Sequence, residues 1–174
     1  QVDMDLLLLL ADAPRYKNSP QEAVPYLEEI AWKAQNPIIR REALRRLNEL
    51  YVRLWEQEPE KYPLDKAIKA SEELVAMDPD FVQWQQALGE LLMLDQRYVA
   101  AEGKFKAVLE NANANSMNAH LGLCETYQAS KQFPKAVREF KSALSVNPKN
   151  PYFYNMLARL EMSRAGIPAA FEAV

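Results

Sequence analysis

The sequence predicts an all-α protein, a solenoid of stacked antiparallel helix pairs, on three observations. Small residues recur at near-constant spacing: Ala67, Ala101, Ala136 and Ala170 stand 34, 35 and 34 residues apart. A fixed period in this range marks stacked units, each burying its apolar face against its neighbours. Composition agrees, with only 4 glycines, few β-branched runs, and abundant Ala, Leu, Glu, Lys and Gln, all good helix formers. Most of the 11 prolines fall at helix starts or just past helix ends, where a missing N–H costs little.

The same numbers exclude several classes. Hydrophobic residues make up 49% and charged residues 26%, the balance of a folded water-soluble chain rather than a disordered tail. A net charge of −3 with no basic stripe gives no reason to expect nucleic acid. The densest basic cluster, Arg40, Arg41, Arg45 and Arg46, lies on one predicted helix beside Glu42 and Glu49 and reads as a solvated face. Cys124, the one cysteine, stands among apolar residues as a small core side chain and rules out an intrachain disulfide.

Taken in order, the elements begin with Leu6–Leu10, five leucines that suggest a buried first helix. The run is too short to span a membrane, follows Asp3 and Asp5, and lacks the basic flank of a signal segment. Pro14 to Pro20 reads as a long connection. Ala23, Leu27 and Pro37 then outline a second helix. A long helix follows from Ile38 to about Gln57, roughly 30 Å at 1.5 Å per residue. Leu47, Leu50, Tyr51 and Leu54 give it an apolar face. Glu58 to Pro63 is a turn lengthened beyond the period, and Ala67, Leu74 and Pro79 fit the helix after it.

From Val82 the pattern tightens. Trp84, Leu88, Gly89 and Leu92 lie on one helix, and Tyr98, Ala101 and Phe105 on its partner. The clearest pair runs from Met117 to Asn150. Leu121, Cys124 and Tyr127 precede a break near Ser130-Lys131, and Phe133, Ala136, Val137, Phe140, Ala143 and Leu144 repeat at three-and-four spacing. Asn147-Pro148 stops it, since proline disfavours helix in the residue before it. Small residues let paired helices approach where a bulky side chain would hold them apart. Tyr154, Leu157, Ala158, Ala165-Gly166 and Ala170 open a last unit that ends at Val174 inside a helical pattern, so the chain reads as a piece of something longer.

These residues resemble the tetratricopeptide repeat. That family's pattern sets a large residue, Leu-Gly, an aromatic, a small residue after the turn, a second aromatic, an alanine and a closing proline. The resemblance covers nearly the whole chain, tightly from Val82 and loosely before Asn48. It implies a right-handed superhelical solenoid forming a single domain. The approximate repeats are 1–37, 38–81, 82–116, 117–150 and a truncated 151–174. Between Ala23 and Ala67 the spacing is 44 residues, ten beyond the repeat. The long turn and the early start of the helix after Pro37 absorb the excess.

No catalytic, metal or cofactor site is expected. His120 has no second histidine or paired cysteines beside it for zinc, and an isolated histidine is more often a surface or groove residue than a catalyst. No phosphate-cradling glycine loop or nucleophile elbow appears. Glu28-Glu29 and Glu72-Glu73 read as solvated helix faces.

The resemblance instead implies a concave groove lined by the first helix of each pair, and a protein or peptide partner within it. The register assigns Asn48, Val52 and Trp55 to that groove from the long helix, with Arg45 before them. Gln83, Gln86, Glu90 and Met93 follow from the next, then Asn118, Leu121, Glu125 and Gln128. Tyr152, Asn155 and Arg159, with Met162, come from the last. Amides predominate, and a ladder of them suits the alternating N–H and C=O groups of an extended peptide. The family's clamp for an acidic chaperone tail uses basic groove residues. Glu90 and Glu125 stand here instead, which like-charge repulsion disfavours. The leading expectation is a non-catalytic protein-interaction scaffold, an assembly factor being one form of it. The alternative is a structural segment of a larger protein that self-associates, since Ile167 and Phe171 would lack a covering helix. Neither nucleic acid nor membrane insertion of this segment is expected.

Overall fold

The computed structural model describes residues 20–111 and 114–164, and within them it contains eight α-helices and no strand. A 3-10 turn at Pro20–Ala23 leads into α1 (Val24–Lys33), followed by α2 (Pro37–Gln57) and α3 (Asp65–Met77). Then come α4 (Val82–Leu94), α5 (Tyr98–Asn111), α6 (Met117–Ala129), α7 (Phe133–Val146) and α8 (Pro151–Arg164). The helices group into two compact units, residues 1–84 and 85–174. The Leu6–Leu10 segment and the expected continuation through Ala170 lie outside the described residues.

In the first unit, α2 packs against both α1 and α3. Asn36 caps α2 by accepting from the Ile38 N–H at 2.9 Å, and Pro37 occupies the first position, where no N–H is needed. Leu27, Ile30, Leu44, Leu47, Ile68 and Leu74 form the core, and Ala43 and Ala67 are fully buried where the helices approach. In the arginine cluster Arg41 is exposed and Arg40, Arg45 and Arg46 are half-buried. Arg45 and Arg46 reach Glu42 at 2.8 and 2.7 Å, Arg45 also meets Glu49, and Arg40 crosses to Glu73 on α3 at 2.7 Å. The expected solvated face is thus a ladder of ion pairs.

In the second unit, α6 packs on α5 and α7, and α7 on α8. Phe105, Phe140 and Phe153 are buried, with the Phe140 and Phe153 rings 6.0 Å apart. Phe105 explains two glycines at once. A Cβ on Gly89 would lie 2.8 Å from its ring, and one on Gly122 closer still. The two tight turns are copies of each other. Gln96 and Lys131, 35 residues apart, both take the left-handed conformation (φ 61° and 59°). The next N–H, of Arg97 or Gln132, returns to Leu92 O at 2.8 Å or Tyr127 O at 2.7 Å. These bonds satisfy carbonyls that each helix end would otherwise leave unpaired.

Two readings from sequence need correction. His120 is buried rather than on a surface or groove. Its Nδ1 lies 2.5 Å from Glu139 Oε1 on α7 and its Nε2 lies 3.3 Å from Ala114 O. A partner on another helix makes this burial tolerable, and helix periodicity does not show such a partner. Glu28 is likewise not a solvated carboxylate, because Tyr51 donates to it at 2.5 Å and Lys66 at 3.0 Å. Phe133, in the apolar pattern, opens α7 with 40% of its surface exposed.

Candidate partner-binding surface

Each first helix carries its assigned residues on a face that the structure leaves partly open, yet they do not all remain available. On α2, Val52 and Trp55 are half-buried. Asn48 turns its amide nitrogen to Ala67 O at 2.9 Å and Ser71 Oγ at 2.7 Å, which ties α2 to α3. On α4, Gln83 is exposed and Met93 half-buried, while Gln86 donates to Ser116 Oγ at 2.9 Å. Ser116 caps α6, so Gln86 braces the start of the next repeat. On α6, Asn118 is exposed, and Leu121 and Gln128 are half-buried. On α8, Tyr152, Asn155 and Arg159 are exposed and Met162 half-buried. Three exposed amides therefore remain: Gln83, Asn118 and Asn155.

Three of the assigned residues do come together. Burial raises the Glu90 carboxyl on α4 above its ordinary range, although the side chain is still reached by water. On α6, Glu125 is raised by burial first and then by the charge of Glu90. A hydrogen bond from Tyr152 on α8 opposes part of that rise. Three successive first helices thus contribute one acidic patch with a phenol beside it. Each carboxylate there is less stable ionised than it would be in water.

No group of three or more His, Cys, Asp or Glu side chains is arranged to hold a metal ion among the described residues. Burial and the nearby Glu139 and Glu125 charges push the Cys124 thiol up, away from the reactive thiolate. No described helix is long and apolar enough to cross a membrane. Ile167 and Phe171, on which self-association would turn, lie outside the described residues.

Sequence reasoning missed a cleft in the first unit. This cleft, of about 380 Å³, is lined by Gln21, Val24, Pro25 and Tyr51 together with Lys61, Tyr62, Pro63 and Lys66. The available signal was the overlong turn with its Tyr62-Pro63 step.

Comparison with known proteins follows the same lines. Two family models, each described as tetratricopeptide repeat, match residues 64–116 and 92–160, which together span more than half of the chain. No curated protein matches it. Similar solved structures include MamA, from residue 41 to its end, of Desulfovibrio magneticus RS-1. It has a TM-score of 0.69 and 19% identity, over 97% of this chain and 89% of that one. A tetratricopeptide repeat protein from Parabacteroides merdae gives 0.67 and 24%, over 94% of this chain and 59% of that one. The first such domain of human RPAP3 gives 0.54 and 14%, over 72% and 98%. At these identities the likeness is one of fold.

Proposed function

Since the chain belongs to the tetratricopeptide repeat family, generally a non-catalytic protein-interaction module, we propose that it is a scaffold without catalytic activity of its own. It holds an extended partner segment against the open faces of α4, α6 and α8, as an assembly factor would. The observation that carries this reading is the meeting of Glu90, Glu125 and Tyr152. Two carboxyls made hard to ionise by burial, and at Glu125 also by the charge of Glu90, weaken the unliganded fold. A lysine or arginine arriving between them relieves both effects, so the partner segment carries a basic side chain at that point. Asn118 and Asn155, both exposed in the second unit, hydrogen-bond its backbone whatever the flanking sequence.

Random-peptide display against the immobilised full chain tests this. Selected peptides should be enriched in Lys or Arg, and Glu90→Lys with Glu125→Lys should abolish the enrichment. Selection without basic bias, or bias untouched by the double reversal, overturns the reading. The pH dependence has a fixed sign. Binding requires ionised carboxylates whose pKa values are raised, so affinity falls as pH drops and begins to fall above the ordinary value of 4.5. Titration of a selected peptide by calorimetry between pH 7 and 4 reads this directly.

A further inference from the structure

The overlong turn after α2 has no part in the function proposed above, and comparison of the two units isolates what it adds. Each unit locks a tyrosine near the end of a first helix in the same way. Tyr127 donates to Glu102 at 3.0 Å and Lys135 lies 5.2 Å above its ring. Tyr51 donates to Glu28 at 2.5 Å, and Lys66 lies 5.4 Å from its ring while pairing with Glu28 at 3.0 Å. The tyrosine and its glutamate are therefore scaffold in both places, with a lysine against each ring. What differs is the link that follows. Residues 130–132 join α6 to α7, whereas residues 58–64 join α2 to α3.

The longer link supplies Lys61, Tyr62 and Pro63 to the cleft, which Val24, Pro25 and Tyr51 also line. Its volume of about 380 Å³ falls within the roughly 300–1,000 Å³ of pockets that hold small ligands or a few side chains. Prolines and tyrosines make rigid walls that lose little entropy on binding. Among the described residues the lining carries two lysines and no carboxylate. Both lysines have partners, Glu58 at 3.2 Å and Glu28 at 3.0 Å, but their side chains are 61% and 59% exposed. Ion pairs this exposed hold their partners weakly, so the ammonium groups can turn to an incoming anion.

We propose that this cleft is a second docking site, which takes an acidic, apolar segment of a partner protein. A proline or aliphatic side chain seats between Tyr62 and Val24, and an adjacent carboxylate reaches Lys61 and Lys66. Tyrosine-lined clefts accept extended proline-containing chain because it arrives already ordered. The required charge is opposite to that expected at Glu90 and Glu125, so the two sites read different features of their partners.

The test uses the isotope-labelled full chain and two synthetic peptides, acetyl-Asp-Leu-Pro-Glu-amide and its counterpart acetyl-Lys-Leu-Pro-Lys-amide. The acidic peptide should shift the backbone amide signals of Val24, Tyr62 and Lys66, with the basic one about tenfold weaker or worse. Lys61→Glu, at an exposed position, should weaken the acidic peptide by about tenfold, and Tyr62→Ala should weaken it comparably. Glu90→Lys should leave it unchanged, which separates this site from the other. Absence of shifts at these amides, an equal response to both peptides, or indifference to Lys61→Glu overturns the proposal. So does movement of the same signals with protein concentration alone, which assigns the cleft to a second copy. Contacts in the peptide-free protein between the Leu6–Leu10 side chains and Tyr62 assign it to the chain's own leading segment and overturn it equally.

Discussion

At the scale of single residues, Phe105 decides what its neighbours can be. Its ring is fully buried and fills the space that a Cβ at Gly89 or Gly122 would need. Gly122→Ala forces either the ring or α6 to move, and overpacking of this kind costs about 1–3 kcal/mol. Gly103 stands on the same helix as Phe105, exposed, with nothing within 4 Å of a Cβ placed there. Gly103→Ala therefore gains helix propensity without a clash and stabilises by about 0.5–1 kcal/mol. Urea denaturation of the two variants should give midpoints displaced in opposite directions from the parent. Phe105→Leu in the Gly122→Ala background should recover part of the loss, because the coupling runs through one ring.

At the scale of the element, α2 is held by its own charges as well as by packing. Hydrogen bonding from Arg45 outweighs burial and, with Arg46, holds the Glu42 carboxyl down at about 2 from its ordinary 4.5. Its folded pKa is depressed, so its stabilisation is complete above 4.5 and is lost as pH falls toward 2. The Glu42 and Arg45 side chains are 35% and 39% exposed, and solvent screening reduces the contribution to about 0.5–1 kcal/mol. Glu42→Gln should lower the melting temperature by about 2–3 °C at pH 7 and by nothing near pH 2, read by circular dichroism. That α2 is long, and that an overlong turn follows it, was legible in the sequence, because Pro37 and the failure of the period mark both. The use of its side chains was not. Asn48 and Gln86 have the right register for an open face, yet each finds a hydroxyl on a neighbouring element within 3 Å. Spacing along one helix carries no information about distance to the next. The same limit hid His120 behind Glu139 and the cleft behind Tyr62, whereas Glu90 and Glu125 could be placed on one surface because register alone aligns successive first helices.

At the scale of the molecule, a repeat fold distributes its stability as a sum of local terms, since each repeat is supported mainly by its immediate neighbours. The deep side chains reflect this. Phe140 on α7 is fully buried, with its ring against Phe153 on α8, while Leu47 and Ile68 belong to the first unit. Phe140→Ala removes a large buried ring, a change that costs about 3–5 kcal/mol where it occurs. In a single-core protein the whole cost would appear at every protected amide. Here it should be concentrated. Native-state hydrogen exchange followed by mass spectrometry should show peptides from α6, α7 and α8 losing most of their protection. Those from α1, α2 and α3 should lose at least tenfold less. A uniform loss across both sets would mean that the chain unfolds only as a whole, and that a partner held on α4, α6 and α8 would stabilise all of it equally. The graded result means instead that binding there protects its own repeats first, leaving the cleft beside Tyr62 free to exchange on its own terms.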